Sequence, residues 1–137
     1  MQSTALPPLR PSQVNDLAAF YQAGYTGVAD LVAHFVAPLY PGKPEAPIPD
    51  GIEAQTRLVI ENLGRVLGGL SLSLRDVVRA GAYLTHFAED YATFNRIYQG
   101  YFETGRLPAR TCIGVTALAR GARVEIDFVA RRRAFKI

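Results

Sequence analysis

The chain is poor in the residues from which many functional sites are built. Its 137 residues include one cysteine, two histidines and no tryptophan. One cysteine cannot form an internal disulfide, so we expect a reducing, cytoplasmic environment. The histidines, His34 and His86, lie far apart, whereas a zinc site needs several cysteine or histidine ligands at close spacing. The sequence therefore predicts no metal site.

Membrane spans, signal peptides and nucleotide-binding loops also have no counterpart in the sequence. No run approaches the roughly 20 apolar residues that cross a bilayer, and the first residues show no charged-then-apolar pattern. The segment "GRVLGG", Gly64 to Gly69, ends a helical pattern and has no following lysine, whereas a phosphate-binding loop opens a helix. We expect neither secretion nor membrane insertion, and no nucleotide cofactor.

The composition is typical of a globular domain with a modest basic excess. With 49% hydrophobic and 20% charged residues, the chain is expected to form one domain over residues 1–137. Much of the net charge of +3 lies near the C-terminus, at Arg131, Arg132, Arg133 and Lys136. Such a cluster could bind phosphates, but only Phe135 lies within it to stack on bases. We interpret the cluster as a solvated tail or a charged strand edge.

Helical spacing of apolar residues marks two segments. The segment "IEAQTRLVIENLGRVLGG" predicts a helix from Ile52 to Gly68, and Asp50 with Glu53 resembles a capping box at its start. The segment "AEDYATFNRIYQGYFETG" predicts a second helix that ends at Gly105. The apolar face of this second helix would be formed by Tyr91, Phe94, Tyr98 and Tyr101.

Alternation with a period of two predicts strands in the rest of the chain. One strand has Val78, Ala80, Ala82 and Leu84 on its inner face, and "ARTCIGVTAL" and "ARVEIDFVARR" form two more, joined by the short turn "ARGA". The segment "LAAFYQAGYTGVADLVAHFVAPLY" allows two strands or two short helices, and we favour strands. A proline-rich loop follows it.

These elements predict an α+β fold, a mixed sheet with both helices on one face. In the last two strands, alternation puts Arg110, Cys112 and Glu125 opposite Ile113, Ile126 and Phe128. If the helices cover the apolar face, the polar face must meet another subunit or a ligand.

The residues themselves leave the chemistry open. Arg110 follows a proline at a strand start, where its planar donor fork could grip a carboxylate or simply anchor the strand. Cys112 has no nearby histidine, which favours packing or pocket lining over nucleophilic work. Glu125 and Asn95 could serve a site or face solvent and neighbouring side chains.

Three stretches resemble the RidA family, also called YjgF, of enamine and imine deaminases. They are "IEAQTRLVIENLGRVL", "SLRDVVRAGAYLTHFAEDYATFNRIYQGYF" and "LPARTCIGVTALARGARVEIDFVA", which run from about Gly51 to Arg132. The resemblance implies a chorismate-mutase-like α+β fold that assembles as a homotrimer, with sites in clefts between subunits. It also implies hydrolysis of a small enamine or imine acid to a 2-oxo acid and ammonia, without a cofactor.

The same resemblance implies roles for particular residues. Arg110, the arginine of "PAR", would bind the substrate carboxylate, and Cys112 would line the pocket. Glu125 would position the attacking water, and Asn95 would border the site. Tyr21 in "FYQAG" could supply the tyrosine of the family's "PYSQA" stretch, although "RPSQV" resembles that motif without a tyrosine.

The N-terminal third departs from the family pattern. Where members carry "SGQ", this chain reads roughly "FVA" or "VAP", so a serine and a glycine of the generic pocket are missing. The substrate and the pathway therefore stay open. The alternatives to a deaminase are a non-catalytic trimer that binds a carboxylate metabolite and, with less support, an endoribonuclease that uses the C-terminal basic cluster.

Overall fold

A computed structural model describes residues 31–132 with the exception of Pro41 and Pro44. The predicted α+β order is confirmed over this range, whereas the strand predicted from Leu17 to about Tyr25 lies outside it. The elements are β1 (Leu31–Val36), α1 (Ile52–Gly69), β2 (Val77–Leu84), α2 (Phe87–Gly100), β3 (Ala109–Gly114) and β4 (Val124–Arg131). In this part of the chain, no helix is both long and apolar enough to cross a membrane.

The four described strands form one mixed sheet in the order β1-β4-β2-β3. Strand β4 pairs antiparallel with β1 and with β2, whereas β2 and β3 pair in parallel. A parallel pair needs a crossover connection, and helix α2 supplies it. Strand β3 is last in the strand order and lies at the edge of the described sheet. Helix α2 directly precedes it in the chain.

Both helices pack on one face of this sheet, as predicted. The alternating residues Val124, Ile126, Phe128 and Ala130 of β4 are buried, and they join the inner residues of the helices in one apolar cluster. Its largest fully buried side chains include Phe94, Phe128, Ile60, Leu63, Leu67 and Leu84. The opposite face of the sheet is covered by neither helix.

In strand β2, one residue that was predicted to lie on the inner face does not lie there. Val78 was expected in the core, but it is 47% exposed, whereas Val77 is 6% exposed. The pairing of β2 with β4 shifts register between Val77 and Arg79, which marks a β-bulge. Because the extra residue reverses the alternation, Val77 takes the inner position and Ala80, Ala82 and Leu84 keep theirs.

Two predicted helix boundaries also differ from the structure. Helix α1 is preceded by Gly51 with φ 85°, and no side chain caps it, so Asp50 and Glu53 do not form the expected capping box. Glu53 is then the second helical residue, whereas the box requires the third. Helix α2 ends at Gly100 because the amides of Tyr101 and Phe102 turn back to carbonyls three residues earlier. The predicted stop, Gly105, has φ 79° and lies in the turn before β3.

Buried polar side chains tie the loops to this framework. The Nδ2 of Asn62 donates to the carbonyls of Ala37 and Leu39, at 3.2 and 2.7 Å, which fixes the chain that leaves β1. The guanidinium of Arg123 donates to both carboxylate oxygens of Asp90, at 2.7 and 3.1 Å, and also reaches Glu89. This contact joins the start of β4 to the first turn of α2.

We expect the Arg123 contact to stabilise the protein measurably. Asp90 is 4% exposed, so Arg123→Ala leaves a buried carboxylate without its partner. The free energy of unfolding should fall by about 1.5 to 3 kcal/mol in denaturant titrations at fixed protein concentration. The control is Arg57→Ala, which removes an exposed pair with Glu53 and should cost less than about 1 kcal/mol. Equal losses in the two variants would contradict this role.

Candidate active site

Edge strand β3 turns Arg110 and Cys112 toward the helices. In the parallel pairing with β2, Arg110 lies opposite Ala80 and Cys112 lies opposite Ala82. Residues directly paired across strands point to the same face, and both alanines are buried in the core. The two side chains therefore lie where the helix-covered face meets the sheet edge, and both are half-buried.

Arg110 packs against the aromatic side chains of α2. Its guanidinium carbon lies 4.8 Å from the ring centroid of Tyr98 and 5.6 Å from that of Phe94. A planar cation over an aromatic face is stabilised and held in orientation. Among the described residues, no carboxylate forms an ion pair with Arg110. The guanidinium is thus oriented by packing and has its charge available for an anionic ligand.

The rings below Arg110 form a row along one face of α2. Phe94 and Tyr98 are four residues apart, with centroids separated by 5.6 Å, and Phe102 lies 4.9 Å beyond Tyr98. Burial raises the pKa of Tyr98 to about 12, and the charge of Arg110 partly opposes this rise. The Tyr98 hydroxyl is buried without a hydrogen-bond partner in the described residues. It therefore keeps its proton at neutral pH and can donate a hydrogen bond beside Arg110.

Cys112 lies near Arg110 and Tyr98, and Asn95 lies on the same helix as Tyr98. Burial raises the pKa of the Cys112 thiol, and the neighbouring charge of Arg110 only partly opposes this. Asn95 lies three residues before Tyr98 on α2, and its Oδ1 is buried with no partner among the described residues. The region thus offers a cation, a phenol, a neutral thiol and an amide acceptor.

Glu125 lies on the other face of the sheet, and the prediction that it shares a face with Arg110 and Cys112 is wrong. In the register of β4 with β2, Glu125 lies opposite Tyr83, whereas Ala82, the neighbour of Cys112, lies opposite Ile126. The prediction that Arg110 and Cys112 lie on the opposite face of β3 from Ile113 is confirmed. The error was to assume that the apolar Ile113 faces the helices; its side chain is 45% exposed.

The environment of Glu125 favours its protonated form. Burial raises the pKa of the Glu125 carboxyl, and the charge of Asp127 raises it further. Strand β2 lies between β3 and β4, so these two strands are two inter-strand spacings apart, about 10 Å, and the side chains of Arg110 and Glu125 point to opposite faces. Within one chain, Arg110 and Glu125 therefore cannot hold one small substrate between them.

Sequence reasoning missed several residues of these two regions. Phe94 and Tyr98 were read as core residues, although their spacing of four also makes them a platform for Arg110. The contact of Asp127 with Tyr83 was not predicted, because it joins residues 44 positions apart. Tyr21, predicted to enter the pocket, lies outside the described residues.

Comparison with protein families gives one family match. The family described as Endoribonuclease L-PSP matches residues 20–132, most of the chain. Protein DfrA of Myxococcus xanthus is 44% identical over 79 residues, which is 58% of this chain and 59% of DfrA. The mouse 2-iminobutanoate/2-iminopropanoate deaminase is 37% identical over 83 residues, 61% of this chain and 60% of the enzyme. The matches thus span about three-fifths of the length of these curated relatives.

A solved structure supports the fold. Escherichia coli TdcF, crystallised with bound serine, superposes with a TM-score of 0.72 at 23% identity, over 97% of this chain and 98% of TdcF. The agreement confirms the predicted chorismate-mutase-like arrangement of two helices and a mixed sheet.

The raised pKa of Cys112 predicts slow reaction of this thiol near neutral pH. Only the thiolate is alkylated. The rate of alkylation by iodoacetamide should therefore keep rising at pH values where the rate of a small-molecule thiol, measured in parallel, has levelled off. Unfolding the protein should abolish the difference. A rate in the native protein that levels off near neutral pH would indicate an activated thiolate and contradict the assignment.

Proposed function

This chain belongs to the endoribonuclease L-PSP family, also called RidA/YjgF, and we propose from this that it hydrolyses a small reactive enamine or imine acid to a 2-oxo acid and ammonia. The relative from mouse is named for deamination of 2-iminobutanoate and 2-iminopropanoate. Both compounds carry a carboxylate next to a C=N carbon. A site for them needs a cation for the carboxylate and a base for water.

The observation that carries the proposal is the guanidinium of Arg110, which is oriented by the aromatic rings and has no ion-pair partner among residues 31–132. A bidentate contact with a carboxylate fixes both the position and the plane of the substrate, because the donors of arginine form a planar fork. The Tyr98 ring beneath Arg110 holds this fork in place. The imine carbon would then lie a fixed distance from the guanidinium, close to Cys112 and Asn95.

The proposed reaction uses water and no cofactor. Water adds to the electrophilic C=N carbon while a base takes one of its protons and the imine nitrogen accepts one. Collapse of the resulting carbinolamine forms the C=O bond and releases ammonia. Glu125 would hold the water and take its proton, and the raised pKa of its carboxyl makes it a stronger base than an exposed glutamate. Positioning and proton transfer together supply the rate enhancement.

We propose that Arg110 and Glu125 of one site come from two subunits of a homotrimer. The two side chains point to opposite faces within one chain, so one substrate can reach both only at a contact between copies. The sheet face that neither described helix covers also bears the exposed Ile113 and the half-buried Tyr83 and Glu125, which suit a subunit interface. A neighbouring copy would bring its own edge strand β3 to this face.

Two other functions receive less support. A non-catalytic carboxylate-binding protein would use Arg110 and Tyr98 in the same way and would not depend on Glu125. An endoribonuclease, the activity in the family's description, would need the C-terminal basic cluster. Within that cluster the Arg132 Nη2 donates to the carbonyl of Leu70 at 2.8 Å, so this residue has a structural contact, and Arg133 and Lys136 lie outside the described residues.

Arg110→Lys and Arg110→Ala should both impair the deaminase strongly. Lysine keeps the charge but loses the planar two-point contact and much of the packing on Tyr98. A charge-assisted contact contributes about 1.5 to 3 kcal/mol, so kcat/KM for freshly generated 2-aminoacrylate or a related imine should fall at least about tenfold. The control Arg106→Lys changes an exposed arginine on the same connection and should leave turnover unchanged. Normal turnover with a lowered melting temperature would make Arg110 a strand anchor only.

A subunit-mixing experiment tests the composite site. Arg110→Ala and Glu125→Gln proteins, each inactive alone, are co-expressed with different tags and purified as mixed oligomers. If each site combines two chains, about one site in three of every mixed trimer regains both wild-type residues and activity returns. If both residues come from one chain, every site keeps a defect and the mixture stays inactive. Light scattering should report three times the 15.0 kDa chain mass for each species.

A further inference from the structure

The sheet face that neither described helix covers carries a polar group of residues that the proposed reaction has not used. We call Arg79, Gly81, Tyr83 and Asp127 the Asp127 cluster. In the pairing of β2 with β4, Gly81 lies opposite Asp127 and Tyr83 lies opposite Glu125. The cluster therefore lies on the same face as Glu125 and directly beside it.

The carboxylate of Asp127 is fixed by contacts on several sides. The Tyr83 hydroxyl donates to its Oδ2 at 2.7 Å, and the Arg79 Nη1 lies 3.7 Å from its Oδ1. The hydrogen bond to Asp127 raises the pKa of the Tyr83 hydroxyl, so the hydroxyl stays protonated and acts as the donor. Both contacts hold the carboxylate in one position on the sheet face. The Oδ1 of Asp127 is buried without a hydrogen bond among the described residues.

Gly81 makes the position of Asp127 possible. A Cβ atom built at Gly81 would overlap the Asp127 carboxylate, so any other residue would force that side chain to move. A glycine inside a strand weakens it and often marks close approach of another group. Here the approaching group is the carboxylate. The missing side chain at Gly81 thus leaves room for the Asp127 carboxylate next to β2.

Glu125 is the group that this fixed charge acts on. It lies two residues before Asp127 on β4, so both side chains point to one face with their Cα atoms about 7 Å apart. Burial raises the pKa of the Glu125 carboxyl, and Asp127 raises it further. Tyr83 faces Glu125 from β2, and Arg79 faces it only across Asp127. In the described residues, no cation pairs with Glu125.

On the basis of the proposed function, we propose that Asp127, held by Tyr83 and by the space at Gly81, is a positioning residue that keeps Glu125 ready to take up a proton from water. Two neighbouring carboxylates divide their tasks when their environments differ. Asp127 is held in place by a phenol and a guanidinium. Among the described residues Glu125 has no such partner, and burial together with the charge of Asp127 raises the pKa of its carboxyl.

The test follows the protonation of Glu125 in Asp127→Asn, which keeps the shape of the side chain and removes its charge. NMR titration of the Glu125 carboxyl carbon, assigned with Glu125→Gln, should show its midpoint at lower pH than in the wild type. The acid limb of the pH profile of kcat/KM should move in the same direction, and the plateau should fall roughly two- to fivefold because the base is weaker. Glu53→Gln, an equal charge change at a distant exposed site, should alter neither curve.

Two further variants separate position from charge. Tyr83→Phe removes the donor to Asp127, and Gly81→Ala displaces its carboxylate, while both keep the negative charge. The Glu125 titration should move part of the way toward that of Asp127→Asn in each. An unchanged Glu125 midpoint in Asp127→Asn would overturn the proposal, even if the variant loses activity. The NMR result stands whether or not the wild type proves to be a deaminase, so failure of the function and failure of this inference remain distinguishable.

Discussion

The parallel pairing of β2 and β3 decides where the chemistry of this protein can lie. A parallel neighbour requires the chain to return over the sheet, and helix α2 makes that return. The aromatic face of α2 therefore lies along β3, the edge strand that follows it. Arg110, the second residue of β3, meets Tyr98 and Phe94 there. The orientation of the guanidinium is thus a product of topology, because no nearby carboxylate in the described chain is used to hold it.

Strict alternation along the strands places Glu125 on the other face of the sheet from Arg110. The register gives the helix-covered face to Arg110 and Cys112 and the uncovered face to Glu125, Tyr83 and Asp127. Carboxylate recognition and proton transfer, as proposed, are therefore separated within one chain by the thickness of the sheet. Association of copies would bring the two halves together, and a dissociated chain would keep the anion-binding half alone.

Much of this fold could be read from the sequence, because its helices and strands have clear periods. Helix α1 was predicted to within one residue at its end, and the inner residues of β4 were correct. The face of β3 was not predictable in the same way, since alternation says which residues share a face but not which face meets the helices. The exposed Ile113 suggested the wrong answer. The bulge at Val78 and the glycine start of α1 could not be predicted from the sequence either. The bulge depends on strand pairing, and the helix start depends on the backbone angle of Gly51. The contact of Tyr83 with Asp127 depends on a register between strands far apart in the chain.

Phe94 connects two properties that are usually treated separately. It is completely buried in the core, and its ring also lies beneath the guanidinium of Arg110. A change in this side chain during evolution would alter the packing of α2 on the sheet and the tilt of the arginine fork together. Drift toward a new substrate and drift in thermal tolerance are therefore coupled through one ring. If Arg110 binds the substrate as proposed, variants selected for a different acid should carry compensating changes in the core near α2, and laboratory evolution restricted to the surroundings of Arg110 would exclude the positions that permit them.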